Sequence, residues 1–192
     1  MKRKDKNDNR QDRPQKRDRI RTSKPVGETE PTRDDQVPPD SGLYLLLLRL
    51  EAPVRLTVGA LGRFSFPAGW YVYTGSAKRN MYTRLERHFA TRKQRRWHID
   101  HLTTTAFTTP VGAVMFNGKI AEEGECALNR RIGALLGLVQ FTPGFGASDC
   151  TSGCGSHLWY TARPVSLLQL AGAAPGASYL LPSQPTGEAR EA

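Results

Sequence analysis

The run Gly42-Leu43-Tyr44-Leu45-Leu46-Leu47-Leu48-Arg49-Leu50 constrains the fold of this chain more than any other segment. It is apolar on both alternating sets of positions, so a strand built from it must be covered on both faces. It is far shorter than the roughly 18 apolar residues of a membrane span, and no other stretch reaches that length. A strand of this kind needs a layer on each side, which points to an α+β domain. A second strand is expected over residues 70–75, rich in aromatic and β-branched side chains and entered through the turn Pro67-Ala68-Gly69. Residues 55–59 and 63–66, split by Leu61-Gly62, read as an inserted hairpin. Further strands are expected over 111–116 and 158–161.

Two helices follow from 3.6-residue periodicity. Met81, Leu85 and Phe89 form the stripe of one, with Asn80 as its N-cap and its end near Thr91. Leu128, Ile132, Leu135 and Leu136 mark another, over residues 121–137. These elements occupy residues 41–170. Residues 1–40 hold almost no large apolar side chain and read as a disordered, charged N-terminal tail; residues 171–192 are rich in Ala, Gly, Pro and Ser and read as a flexible C-terminal tail. The N-terminus lacks the apolar region of a secretory signal, and three cysteines do not make a disulfide framework, so a cytoplasmic location with reduced thiols or a metal site is expected.

Charge narrows the partner. The chain of 192 residues carries a formal net charge of +10. Residues 41–170 contribute most of it, with 15 basic against 7 acidic side chains. Within residues 78–96 there are eight basic side chains, Lys78, Arg79, Arg84, Arg87, Arg92, Lys93, Arg95 and Arg96, and one acid, Glu86. Tyr82, Phe89 and Trp97 interleave them. Such a segment suits phosphate contacts with stacking on bases, so the expected partner is nucleic acid, DNA first with RNA still open.

Five constellations could carry chemistry. Tyr44 opens the central strand, and Tyr73 shares a face with Tyr71 and Gly75 on the next, so the two tyrosines can meet. Arg84 and His88 stand at i and i+4, facing the seam between helix and sheet. Glu125 falls at the edge of the apolar stripe of the later helix, where a carboxylate wants a cation: either an arginine or a Mg²⁺ ion. Cys150, Cys154 and His157 offer three zinc ligands, with Cys126 or His98 to complete a tetrahedron; the alternative is free thiols and a hydrogen-bonded histidine. His98 and His101 at i and i+3 suit a general acid or base, or a polar anchor below the sheet.

The order Gly42-Leu43-Tyr44, Tyr73-Thr74-Gly75-Ser76-Ala77, Arg84 and His88 on a helix, and Glu125 on a later helix resembles the GIY-YIG nuclease superfamily. It is similar in particular to a branch with a Trp-His-Ile-Asp motif (residues 97–100), a Gly-Phe-Gly-Ala-Ser-Asp-Cys motif (144–150) and Ser-His-Leu (156–158). The likeness covers roughly residues 41–162. It departs from the superfamily pattern in reading Tyr73-Thr74-Gly75 and in the long stretch between the two tyrosine motifs. The resemblance implies a three-stranded antiparallel sheet flanked by helices and a divalent-metal-dependent endonuclease hydrolysing phosphodiesters. It further implies that Tyr44 activates or positions the attacking water, that Tyr73 assists, that Arg84 binds the scissile phosphate, that Glu125 holds one Mg²⁺ or Mn²⁺, and that His88 serves as an acid/base partner. Some relatives in this branch are fused to a base-excision glycosylase, which implies a link to DNA repair. The rival expectations are a catalytically silent nucleic-acid-binding module and a zinc-stabilised structural domain.

Overall fold

In a computed structural model, which describes residues 40–183, the leucine run is the central strand β1 (Gly42–Leu50). Its neighbours are β4 (Gly69–Ala77) and β5 (Thr108–Phe116), both antiparallel to it. Every residue of β1 from Leu43 to Leu50 is buried except Arg49. Leu45, Leu46, Leu47 and Leu48 are completely so, and full burial of such a side chain is worth about 1.5–3 kcal/mol. Tyr44, Leu46, Leu48 and Leu50 pack into one core with Met81 and Leu85 of α1 (Met81–Phe89) and Ile99 and Leu102 of α2 (His98–Thr103). Leu43, Leu45 and Leu47 face the second core. There they meet Ile120 of α3 (Lys119–Glu123), Leu128 and Ile132 of α4 (Glu125–Leu136), and Leu170 of α5 (Leu167–Ala171). The two-sided apolar pattern of one strand thus dictates the helical layer on each face.

The sheet is wider than the three strands expected. β7 (Leu158–Thr161) pairs with β4, β6 (Val139–Gln140) with β7, and β8 (Ser178–Leu180) with β5, giving six antiparallel strands in the order β6-β7-β4-β1-β5-β8. Of the added strands, β7 lies where a strand was expected, over 158–161; β6 and β8 are two and three residues long, too short for their alternation to stand out in the sequence. The inserted hairpin is present as β2 (Val54–Thr57) and β3 (Arg63–Phe66), a separate two-stranded sheet joined through one 3₁₀ turn.

Three further expectations are corrected. The helix expected over 121–137 is two helices, because Gly124 has φ 87°, a left-handed conformation that breaks the ladder and starts α4 afresh at Glu125. Asn80 makes no side-chain cap on α1; it lies in the left-handed region with φ 56°. The open end of α1 is satisfied instead by Asp40, whose carbonyl accepts from the Met81 amide at 3.2 Å and whose carboxylate accepts from the Tyr82 amide at 3.0 Å. The stretch from residue 171 that reads as a flexible end remains in the fold at least through β8, with Ala173 and Ala174 buried. Residues 1–39 and 184–192, and with them most of the expected N-terminal tail, lie outside the described residues.

Candidate functional site

A polar cavity of about 240 Å³ opens at one end of the sheet. Tyr44, Tyr73, Arg84 and Glu125 all line it, from β1, β4, α1 and the first turn of α4. Arg96, Trp97 and His98 at the start of α2, and Ser76, Ser148 and Asp149, complete most of the wall.

The tyrosines meet because of register. Tyr44 stands directly opposite Gly75, while Tyr73 opposes Leu46, so the two rings lie diagonally on one face with centroids 6.5 Å apart. Gly75 is required here: a Cβ at that position would fall on the Tyr44 ring. The Tyr44 hydroxyl bonds to Nε2 of His88 at 2.9 Å. Burial, then the nearby Lys93, hold His88 down to about 3, so its imidazole is neutral and the Tyr44–His88 bond joins two uncharged groups. Burial also raises the Tyr44 phenol well above its ordinary value; the Arg84 guanidinium opposes this and loses. Tyr73 is raised for the same reason. On the protein's own charges both tyrosines are therefore phenols at neutral pH.

The segment before α2 is organised by Asp100, which is fully buried. It accepts two bonds at 3.0 Å from Arg87, one at 2.8 Å from the Arg96 amide and one at 3.0 Å from the Trp97 amide, and it pairs with Lys93 at 3.4 Å. Burial alone would raise this carboxyl; the two amides, Arg87 and Lys93 together hold it below its ordinary value. Arg84 and Arg87 both lie over the Trp97 ring, at 4.8 and 4.5 Å. Asp100 thus positions Trp97 and Arg96 at the cavity wall. It also engages two of the expected nucleic-acid contacts: Arg87 is bound to it, and the Lys93 side chain, only 6% exposed, pairs with it. Lys78, Arg79, Arg92, Arg95 and Arg96 are exposed.

Glu125 is steered by the helix that carries it. One turn on, Asn129 is buried and ties α4 to the sheet: its Oδ1 accepts from Thr74 at 3.0 Å and from the Trp159 indole at 2.7 Å, and its Nδ2 donates to the Ser156 carbonyl at 2.9 Å. Glu125 is thereby brought to the cavity, where Oε2 accepts from the Ser76 hydroxyl at 2.6 Å and Oε1 meets His157 Nδ1 at 2.6 Å.

Behind Glu125 lies a second centre. Cys126, Cys150, Cys154 and His157 place their ligating atoms within 4.8 Å of one another, a set that could hold a metal ion. Cys126, not His98, completes it. His98 instead accepts the Gly146 amide on Nδ1 at 3.0 Å and lines the cavity, whereas His101 does not line it. Cys126 Sγ is 3.3 Å from Cys150 Sγ and 3.9 Å from His157 Nε2. Hydrogen bonds, led by the Cys154 amide, draw the Cys150 thiol down to about 6, while burial and then its sulfur neighbours push Cys154 up to about 12. Three thiols this close together are held best by a cation that lets them ionise as thiolates. His157 is raised: burial acts against this, and the Glu125 hydrogen bond outweighs it.

The sequence reading missed the cavity roles of Ser76, Ser148 and Asp149 and the organising role of Asp100. Asp149 stood beside Cys150 as the visible signal; Asp100, three residues beyond Trp97, had the spacing of an acidic side chain that caps its own helix.

An α+β domain with a tyrosine- and arginine-lined polar cavity beside a Cys₃His cluster is the class that this fold and site define. The chain belongs to the family described as domain of unknown function DUF123, whose model matches residues 43–174. No curated protein and no solved structure matches it. Among the described residues no helix is long and apolar enough to cross a membrane.

Proposed function

We propose that this domain is a divalent-metal-dependent endonuclease of the GIY-YIG type, hydrolysing DNA phosphodiesters, with repair as its setting. The observation that carries the reading is the convergence of Tyr44, Tyr73, Arg84 and Glu125, from four separate elements, on one cavity. Arg84 and Arg96 receive the phosphate, since guanidinium forks match its oxygens and stabilise charge that develops there. The Tyr44 hydroxyl, held in place by its bond to His88, orients the attacking water. Tyr73 closes the wall beside it. Glu125 and Asp149 are the two carboxylates of the cavity and the residues suited to a Mg²⁺ or Mn²⁺ ion, with lone pairs left on Glu125 beyond its two hydrogen bonds. A bound divalent ion supplies the charge that lowers the pKa of water and neutralises the leaving oxygen. The exposed Lys78, Arg79, Arg92 and Arg95 draw the nucleic acid to the cavity.

The test is cleavage of plasmid, branched and single-stranded DNA with Mg²⁺ or Mn²⁺. Arg84→Ala is expected to lower the rate by about 10²–10³, and Tyr44→Phe and Glu125→Ala to lower it as well. Cleavage that survives all three changes overturns the assignment; binding that persists without any cleavage establishes the silent-module reading instead.

For the Cys₃His cluster the ion we propose is zinc. Three thiols and an imidazole form a soft, four-ligand set of the kind found in closed structural sites. Stoichiometric zinc in the purified chain is the expected result, and its absence removes this part of the proposal.

A further inference from the structure

The cavity and the thiol cluster are neighbours with one residue in common. His157 has two ring nitrogens with two different tasks: Nε2 faces Cys126 Sγ at 3.9 Å, and Nδ1 meets Glu125 Oε1 at 2.6 Å. A metal ligated through Nε2 leaves the ring proton on Nδ1, where it can only be donated to Glu125. A carboxylate on the far nitrogen of a metal-bound imidazole fixes the tautomer, orients the ring and strengthens it as a ligand. The other Glu125 oxygen accepts from Ser76, and the side chain, about a quarter exposed, forms part of the cavity wall. Cys126, the next residue along α4, supplies a ligand from the same helical turn.

We propose that Glu125 is shared between the two centres: it is the outer partner of the metal ligand His157 and, through that bond, is positioned by the bound metal for its work in the cavity. The thiolate centre is then more than a staple for the loop that carries Cys150 and Cys154. Its occupancy sets where Glu125 points, and a ligand that engages Glu125 in the cavity alters metal affinity by the same factor that the metal alters its own binding. This rests on the zinc and phosphodiester readings above and names how the two sites depend on each other.

The experiment uses the full chain loaded with zinc. Zinc affinity is measured by competition with a chromophoric chelator for the unaltered protein, Glu125→Ala and Ser76→Ala. Glu125→Ala is expected to weaken zinc binding by about 10- to 100-fold, and Ser76→Ala, which touches only the other oxygen, by less than about threefold. In parallel, ¹⁵N NMR of the histidines in the unaltered zinc-loaded protein is expected to show His157 metallated at Nε2, with its proton on Nδ1 and exchanging slowly. Equal zinc affinity in Glu125→Ala overturns the proposal and leaves the nuclease reading standing. So does an NMR spectrum with His157 protonated at Nε2, a result that decides the matter even if Glu125→Ala fails to fold. Loss of zinc affinity in a protein that cleaves no nucleic acid retains the shared role of Glu125 and removes the nuclease reading alone.

Discussion

Replacing Asp100 by asparagine probes the scaffold behind the cavity. The carboxylate is fully buried and serves four donors: Arg87 twice, the amides of Arg96 and Trp97, and the ammonium of Lys93 at 3.4 Å. Asparagine keeps the shape but loses the charge. One of its two terminal atoms becomes a donor that must face Arg87 or the Arg96 and Trp97 amides. Arg87, 22% exposed, and Lys93, 6% exposed, are left without their counter-charge. Removing one partner of such a buried pair costs about 3–5 kcal/mol. For a chain of this size each kcal/mol lowers Tm by about 2–4 °C, so Asp100→Asn is expected to melt roughly 6–20 °C below the unaltered protein. Urea titration at pH 7, followed by circular dichroism, gives the free energy directly. Acid supplies an internal check. The folded-state pKa of Asp100 lies below its ordinary 3.8, so its contribution is complete above that value and is lost as the pH falls through the folded pKa. The gap between the two proteins should therefore be constant above about pH 5 and narrow below 3.8. A gap under about 1 kcal/mol at pH 7, or one that does not narrow in acid, would refute the account of Asp100 as a charge-satisfied hub.

Three further outcomes are expected. Gly75→Ala drives a Cβ into the Tyr44 ring and should cost about 1–3 kcal/mol in urea titration; stability equal to the unaltered protein would mean that the ring does not cross that strand. Stripping zinc with a chelator should lower Tm and expose three thiols to a colorimetric thiol reagent, and readdition of zinc should protect them; thiols that react equally in both forms would remove the metal centre. If DNA binds across the exposed cations, Arg79→Ala should reduce the slope of log affinity against log salt by about 1. Lys93→Ala should leave that slope unchanged while lowering stability, because its ammonium is spent on Asp100 and on the carbonyls of Arg87 and His88. The reverse pattern would show Lys93 to be a phosphate contact.

How much of this was legible in the sequence depended on range. The strand Gly42–Leu50 was plain because both of its faces are buried, and the meeting of Tyr44 and Tyr73 followed from simple alternation. α1 was visible in its stripe, but its cap was not: Asp40 lies across the strand pair, some forty residues away in sequence, and only the folded chain brings it to the Tyr82 amide. The break at Gly124 was hidden because the apolar stripe on which the expected helix was built belongs wholly to α4. Arg87 and Lys93 looked like their neighbours in a basic run, since the carboxylate that claims them comes from α2. Cys126 was one of two candidates for the fourth ligand, and spacing could not choose between it and His98; the tethering of α4 through Asn129 does.

The order in which the cavity residues occur along the chain has a consequence for synthesis. Tyr44 emerges early, but β1 has no complete partner set until β5 follows, and the bond that orients Glu125 comes from His157, at the end of the loop leading into β7. The contacts that bring Tyr44, Tyr73 and Glu125 to the cavity join segments distant in sequence, which are the slowest to form. A ribosome carrying this chain therefore displays α1, which ends at Phe89, some seventy residues before His157 is made and a finished cavity can stand beside it. The cavity assembles only after residue 157 has left the exit tunnel, so a product truncated before it would carry the basic helix without the walls of the cavity.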